Sequence, residues 1–468
     1  MVRTATLETL PPELHIRVFI NLGDTKTLYA LIRASPRLLH VFSINKEHVL
    51  SHFAKECFNP SVLLEALAVA SLAELPHPIP RATAMAFLNT PIEKRNQSLL
   101  SSKSVEQWVT LIKLHRLINF FINDYISFAL PIHGELQVES YASDGRVSFR
   151  TPDATISPSE YARLQRAFCR FELYYHLFSR RLPEHNTCLV YQTPGDDKDS
   201  QPGAVTAHEQ GQLFLLRYNP ADIAEISCVD YYLNFRLSVV LHEVEEFAVE
   251  HPRPSYFKQK RAHMDGQDDC PFLFSYDGAL RREEEIGYLV SLGLGCIRKI
   301  VRAKDMDEKT DLMLHSATDN LGGHAAFISK ALNEIHDYYA PLSALKVNSK
   351  PTRGDWSKEI DIIEDVSIWC LPWLRPGWKW CCNNEETIYG SGGRFDPRTC
   401  VYGFVFWDYG RLQNAANLDW SPRAAFRDHW NTNWDEEDSV QERLIGPEIF
   451  SATSNSETPD SDTTDSES

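Results

Sequence analysis

At 468 residues with 43% hydrophobic side chains, the chain is long and apolar enough to bury a sizeable core, so we expect a soluble globular protein. A formal net charge of -17 at pH 7 argues against nucleic acid as a main partner, because phosphate neutralisation requires a concentrated basic face. There is neither a secretory signal nor a window approaching the ~20 apolar residues of a bilayer span, so we expect no membrane association and a cytoplasmic or nuclear location.

The first helix of the chain is predicted from the segment Leu10-Pro11-Pro12-Glu13. Proline is favoured at a helix start because the first helical N–H has no intrahelical partner. After this segment Leu14, Val18 and Leu22 recur at the i, i+4 spacing of a single helical face. We therefore expect these three side chains to share the apolar side of the helix.

Two more short helices are predicted directly downstream. Gly23-Asp24 ends the first helix and caps the second, and Ser35-Pro36 breaks the chain again before the third. The apolar positions are Leu28, Leu31 and Ile32 in the second helix and Leu38, Leu39 and Phe42 in the third. A unit of three short helices buries little surface alone, so we expect it to pack against a neighbour or a partner.

This order of residues resembles the F-box, in the form common among filamentous fungi. The resemblance covers roughly residues 7–50 and rests on Leu-Pro-x-Glu-Leu at 10–14 and on Leu-x-x-Leu-Ile-x-Ala-Ser-Pro at 28–36. The Trp that many F-boxes carry in the third helix is absent, and Arg37-Leu38-Leu39 stands there. The resemblance implies docking onto the Skp-family adaptor of an SCF-type cullin-RING ligase. The adaptor-binding residues would be Leu10, Pro11, Leu14, Val18, Leu28, Leu31, Pro36 and Leu38. The alternative is a helical hairpin whose leucines face the core of a larger domain.

The rest of the chain is predicted to be mainly helical and without internal repeats. Ser157-Pro158-Ser159-Glu160 has the pattern of a capping box, which predicts a helix from there to about residue 181. Pro76, Pro78 and Pro80 indicate a rigid linker. Other helices are expected at 48–58, 62–75, 104–129, 219–251, 279–303 and 311–339. No repeat period occurs, so leucine-rich, WD and kelch architectures are not supported.

Two segments depart from helical patterning. Alternating apolar and polar residues on both sides of Asp144-Gly145 predict one small β-hairpin at 135–150. Residues 193–211 are polar and rich in Gly and Pro, so we expect a surface loop. The predicted fold class is thus mainly α with a minor β-hairpin. The chain is expected to comprise an N-terminal three-helix F-box-like domain (1–58), a non-repeat helical domain (59–446) and a disordered acidic tail (447–468).

Tryptophan is concentrated in the C-terminal third of the chain. Nine of the ten Trp residues lie between Trp356 and Trp434. Such clustering fits a packed aromatic core or a binding face, and core is favoured because buried aromatic residues are commoner than binding hot spots. If the chain selects a protein partner, this region is where we expect the contact.

The sharpest catalytic alternative is a metal-dependent hydrolase centred on His242. The helix there carries His242-Glu243-Val244-Glu245-Glu246, in which Glu246 replaces the second His of a zinc-peptidase motif. The ten cysteines form no Cys-x-x-Cys pair, so they are read as free thiols in a reducing compartment. No phosphate-binding loop or nucleophile elbow occurs. We therefore expect that the chain has no enzymatic activity and binds neither a cofactor nor a metal.

The function expected from the resemblance is that of an F-box substrate receptor. The N-terminal helices would bind the Skp-family adaptor, and the aromatic-rich remainder would bind an unknown client protein for ubiquitination. An interaction scaffold that acts outside the ligase is the first alternative, and the hydrolase centred on His242 is the second.

Overall fold

The structure is a computed structural model that describes residues 7–22, 25–75, 79–90, 94, 104–129, 156–178, 205–251, 286–318, 328, 331–332, 335 and 404–408. The described residues are mainly α-helical, which confirms the predicted class, and they contain no strand. The predicted β-hairpin and acidic tail lie outside them. The helices are α1 (Pro12–Ile20), α2 (Thr25–Ala34), α3 (Pro36–Cys57), α4 (Leu63–Ala73), α5 (Arg81–Asn89), α6 (Val105–Ala129), α7 (Pro158–Phe178), α8 (Ala207–Leu213), α9 (Pro220–Glu250), α10 (Gly293–Val301) and α11 (Met306–Thr318).

Helix α7 lies at the centre of the fold. It begins with the predicted capping box, in which the Ser157 N–H donates to Glu160 Oε2 at 2.8 Å and the Glu160 N–H donates to Ser157 Oγ at 3.1 Å. The helix packs against α4, α6, α9 and α10, and Phe168 and Phe171 are fully buried. Burial on all sides explains why α7 carries apolar residues around its whole circumference.

The three N-terminal helices pack onto the rest of the chain through α3. Helices α1 and α2 contact α3, and α3 in turn contacts α6 along much of its length. At the end of α3, the Gln165 amide donates to the Cys57 carbonyl at 2.9 Å and accepts from the Asn59 N–H at 3.1 Å. The predicted boundary between residues 58 and 59 is therefore bridged by a side chain of α7.

The predicted apolar face of α1 is shifted by one residue. The buried residues of α1 are His15 and Phe19, whereas Leu14 is 41% exposed and Val18 is half-buried. Phe19 packs edge to face against Phe42 of α3, with the ring centroids 6.2 Å apart. The larger aromatic side chain gains more by burial than Leu14, so it decides the orientation of the helix.

Three other boundaries differ from the sequence predictions. Helix α5 begins directly after Pro80, where only a linker was predicted. The predicted loop at 193–211 is wrong at its end, because α8 begins at Ala207 behind a capping box formed by Thr206 and Glu209. The predicted helix at 279–303 is interrupted before α10, where Gly293 has φ +80.

Candidate functional site

The large apolar side chains that are exposed in the described part of the chain all belong to its first 44 residues. Elsewhere in the described residues, side chains of this type are buried or half-buried. Exposed apolar side chains that lie together in one patch are typical of protein–protein contacts. The five are Leu7, Leu14, Tyr29, Leu39 and Ile44, with exposed fractions of 36%, 41%, 58%, 48% and 69%.

The structure separates the eight predicted adaptor-binding residues into three groups. Pro11, Leu14 and Pro36 are exposed and lie at or near the beginnings of α1 and α3. Leu28 and Leu38 belong to the core, with 4% and 2% exposure. Leu10, Val18 and Leu31 are half-buried. The exposed group is therefore the part of the set that a partner can reach, and Leu28 and Leu38 hold the helices together.

The beginnings of α1 and α3 are held side by side. The Arg37 guanidinium of α3 donates to the Leu10 carbonyl at 3.3 Å, just before α1. The buried His15 ring uses Nε2 to donate to the Leu7 carbonyl at 2.7 Å, which fixes the 3-10 turn Leu7–Thr9 against α1. The first of these hydrogen bonds connects the beginnings of α1 and α3, where Pro11, Leu14, Pro36 and Leu39 are exposed.

Sequence reasoning missed part of this surface. Leu39 was assigned to the apolar side of the third helix, and Tyr29 and Ile44 were not assigned at all. Arg33 lies over the Tyr29 ring, with Cζ 5.2 Å from its centroid, and donates to the Tyr29 hydroxyl at 3.1 Å. An exposed aromatic residue covered by an arginine has an apolar face and polar atoms together, which is common at protein interfaces. The spacing of apolar residues in the sequence does not show which of these side chains are exposed. Their exposure is known only from the structure.

His242, the centre of the hydrolase alternative, lies on α9 next to Glu246. His242 Nε2 is 3.6 Å from Glu246 Oε1, and Glu243 accepts a hydrogen bond from Lys309 of α11 at 2.6 Å. His251 lies about two and a half helical turns after His242, and its ring stacks on Phe247. Within the described ranges no three His, Cys, Asp or Glu side chains form a group that could hold a metal ion. His242 and Glu246 thus form an i, i+4 pair on α9, and the bond from Lys309 to Glu243 connects α9 to α11.

Two of the described thiols, Cys57 and Cys169, are poor nucleophiles. Cys169 is fully buried and Cys57 is half-buried. Burial raises the pKa of Cys57 to about 11, and burial likewise raises the pKa of Cys169 well above its ordinary value. Since the thiolate is the reactive form, these two thiols are inert at neutral pH.

Trp407 is the one tryptophan of the tryptophan-rich third that lies among the described residues. Its side chain is 1% exposed and stacks on Tyr125 of α6, with the ring centroids 6.4 Å apart. At this position the core interpretation is correct. The other eight tryptophans of this third lie outside the described residues.

None of the described helices combines the length and apolar composition needed to cross a bilayer. Comparison with known protein families, with curated proteins and with solved structures gave no significant match. The functional interpretation therefore depends on the residues and contacts given above.

Proposed function

We propose that this chain is the substrate-receptor subunit of an SCF-type cullin-RING ubiquitin ligase. Its N-terminal helices α1–α3 would bind a Skp-family adaptor, and the remainder of the chain would bind a client protein. The observation that supports this most is the confinement of exposed large apolar side chains, among the described residues, to α1–α3 and the turn before them. The same segment carries the resemblance to the F-box.

The position of these side chains supports protein docking over a purely internal role. A hairpin that merely faced the core would bury its leucines, yet Leu14 and Leu39 are 41% and 48% exposed although both lie on helices that also pack inward. Helix-mediated docking depends on apolar anchors that enter a groove of the partner. Leu14 and Leu39, with Pro11 and Pro36 beside them, are the anchors we assign.

The mechanism of such a receptor is proximity. A receptor holds its client near the ubiquitin-charged enzyme of the ligase, which raises the effective concentration of the reacting groups without bond chemistry in the receptor itself. The receptor therefore needs a rigid connection between its two binding regions. The packing of α3 on α6, and of α6 on α7, supports this requirement, because it ties the adaptor-binding helices to the described part of the remaining chain.

Co-purification of the full chain with a Skp-family adaptor tests the proposal. The Leu14→Asp/Leu39→Asp variant places two carboxylates among the anchors, and we expect its affinity to fall about a hundredfold or more. Ala82→Asp/Ala86→Asp on the exposed side of α5 is the matched control, which should bind as the wild type does. Circular dichroism verifies that both variants are folded.

Two results would redirect the proposal. A well-folded wild-type chain that does not bind the adaptor would overturn it. Binding of the adaptor without recruitment of the cullin would instead support the interaction scaffold that acts outside the ligase.

A further inference from the structure

A cationic surface surrounds Phe120 on the side of the molecule where α6 meets α10. Arg298 of α10 and Arg302, which directly follows α10, both lie over the Phe120 ring, with Cζ 5.4 Å and 6.0 Å from its centroid. Lys299 is exposed beside them on the same helix. Phe120 itself is half-buried and belongs to α6. A guanidinium group that stacks on an aromatic ring can still present the N–H groups at its edge to an anion.

Two more cations extend this surface along α6. Lys113 and Arg116 precede Phe120 at the i, i+3, i+7 spacing of one helical face, and both are exposed. Arg116 also donates to the Thr25 hydroxyl at the beginning of α2. We define the cationic surface by its five basic residues, Lys113, Arg116, Arg298, Lys299 and Arg302.

The basic residues of the cationic surface differ from the buried or half-buried arginines that pair with carboxylates elsewhere in the described part of the fold. Arg163, Arg170 and Arg236 each contact an Asp at 2.7, 3.1 and 3.0 Å. By contrast, the five basic residues of the cationic surface form no ion pair with any described carboxylate. The chain as a whole carries a charge of -17, so five neighbouring cations that pair with no described carboxylate are not expected from composition.

Helix stability accounts for only part of this arrangement. Arg298 and Lys299 lie in the last turn of α10, where positive charge is favourable next to the helix C-terminus. Lys113 and Arg116 lie in the middle of α6, where the macrodipole provides no such benefit. Mutual repulsion of the five cations is unfavourable, and an anionic ligand would relieve it.

We propose that the cationic surface binds the acidic C-terminal segment of the same chain, residues 451–468. This segment contains five acidic residues and no Lys or Arg, which matches the five cations of the surface. Carboxylates are bound by arginine through paired, charge-assisted hydrogen bonds. The proposal goes beyond the receptor function and does not depend on adaptor binding.

The connection between the two parts permits this contact. Residue 408 is packed against α7, and 42 residues separate it from residue 451. A chain of that length reaches up to about 140 Å when extended, which exceeds the dimension of a domain of this size. Because the segment is tethered, its effective concentration is on the order of millimolar even when its intrinsic affinity is weak.

Zero-length carbodiimide crosslinking of the full chain tests the proposal, because it joins a lysine ammonium to a carboxylate that it contacts. Peptide mass mapping should find Lys113 or Lys299 joined to acidic residues of 451–468. In the Arg298→Gln/Arg302→Gln variant we expect the yield of these crosslinks to fall about fivefold or more, and added salt should reduce it in the wild type.

Arg33→Gln/Lys46→Gln is the matched control, since it removes two exposed positive charges elsewhere and should leave the crosslinks unchanged. Equal thermal midpoints of the three proteins show that lost crosslinks do not reflect unfolding. Absence of crosslinks between the segment and Lys113 or Lys299 would overturn the proposal, as would equal yields in both variants. Crosslinks that form only between isotopically distinct copies would also overturn it and would assign the surface to a second copy.

Discussion

The Arg163 guanidinium donates to the Asp408 carboxylate at 2.7 Å, although 245 residues separate them in the sequence. Arg163 Nε also donates to the Phe406 carbonyl at 2.8 Å. Phe406 and Trp407, which directly precede Asp408, are buried, with 0% and 1% exposure. A short piece of the C-terminal third therefore completes the core formed by α6, α7 and α9.

The first prediction concerns the charge of Asp408. Asp408→Asn keeps the shape of the side chain and removes the ion pair with Arg163, whose side chain is 10% exposed. Because the Asp408 side chain is 40% exposed, solvent screens the pair, and we expect a loss of only about 1 kcal/mol in the free energy of unfolding. Urea denaturation measures this, with Glu56→Gln on the exposed side of α3 as the control. An unchanged midpoint in Asp408→Asn would show that the backbone contact of Arg163 alone holds the segment.

The same carboxylate predicts a dependence of stability on pH. Burial raises the pKa of Asp408, but hydrogen bonds from Ser157 and Arg163 and the charge of Arg163 outweigh it, so the pKa lies below the ordinary 3.8. A lowered pKa in the folded state means that the carboxylate stabilises the fold above about pH 4 and that this contribution is lost as the pH falls through the folded-state pKa. The difference in stability between wild type and Asp408→Asn should therefore shrink below about pH 4. A difference that is constant from neutral pH to pH 3 would contradict the assignment.

Two glycines of α10 should respond to alanine in opposite directions. Gly293 has φ +80, and a Cβ there would lie 2.7 Å from the Tyr175 ring, so Gly293→Ala should destabilise the fold by about 1–3 kcal/mol. Gly295 is helical and a Cβ there would meet nothing within 4 Å, so Gly295→Ala should stabilise by about 0.5–1 kcal/mol. Thermal unfolding of the two variants compares them directly. If both variants lost stability, the special role assigned to Gly293 would be contradicted, because alanine would then be unfavourable even at an unhindered helical position.

Local signals in the sequence predicted several helix boundaries correctly. Ser157 and Glu160 form the predicted capping box, and Asn219 caps α9 at the predicted place. Such caps depend on residues within one turn of each other, so spacing alone reveals them. The capping box at Thr206 and Glu209 has the same pattern, but the Gly and Pro residues before it favour a loop prediction.

Contacts between distant segments were not predictable in this way. The apolar spacing of α1 is satisfied equally by the stripe that contains Leu14 and by the stripe that contains Phe19, and only packing against Phe42 selects the second. The same choice leaves Leu14 exposed as part of the candidate site. Likewise, nothing near Asp408 in the sequence indicates its contact with Arg163, because that contact depends on the complete arrangement of helices.

The last prediction concerns the buried ion cluster around Arg170 in α7. Its guanidinium lies 3.1 Å from Asp222 and 3.3 Å from Glu65, and its Cζ lies 4.3 Å from the centroid of the Tyr218 ring. The side chains of Arg170 and Asp222 are 7% and 9% exposed. Arg170→Met keeps the aliphatic stem but leaves a buried carboxylate without its counter-charge, so we expect a loss of about 3 kcal/mol, at the low end of the range for broken buried pairs. The low end applies because the Asn219 amide still donates to Asp222 at 2.9 Å.

A double-mutant cycle separates the pair from the packing around it. If the loss in Arg170→Met reflects an uncompensated charge, adding Asp222→Asn should recover about half of it or more, since the remaining amide is neutral. Urea denaturation of the wild type, both single variants and the double variant gives the coupling free energy. Additive losses would show instead that Arg170 stabilises α7 through its contacts with Glu65 and Tyr218. If Asp222→Asn recovers the stability, the buried pair can be replaced by neutral groups and adds little net stability of its own. Its main role would then be to fix how α7 packs against α9.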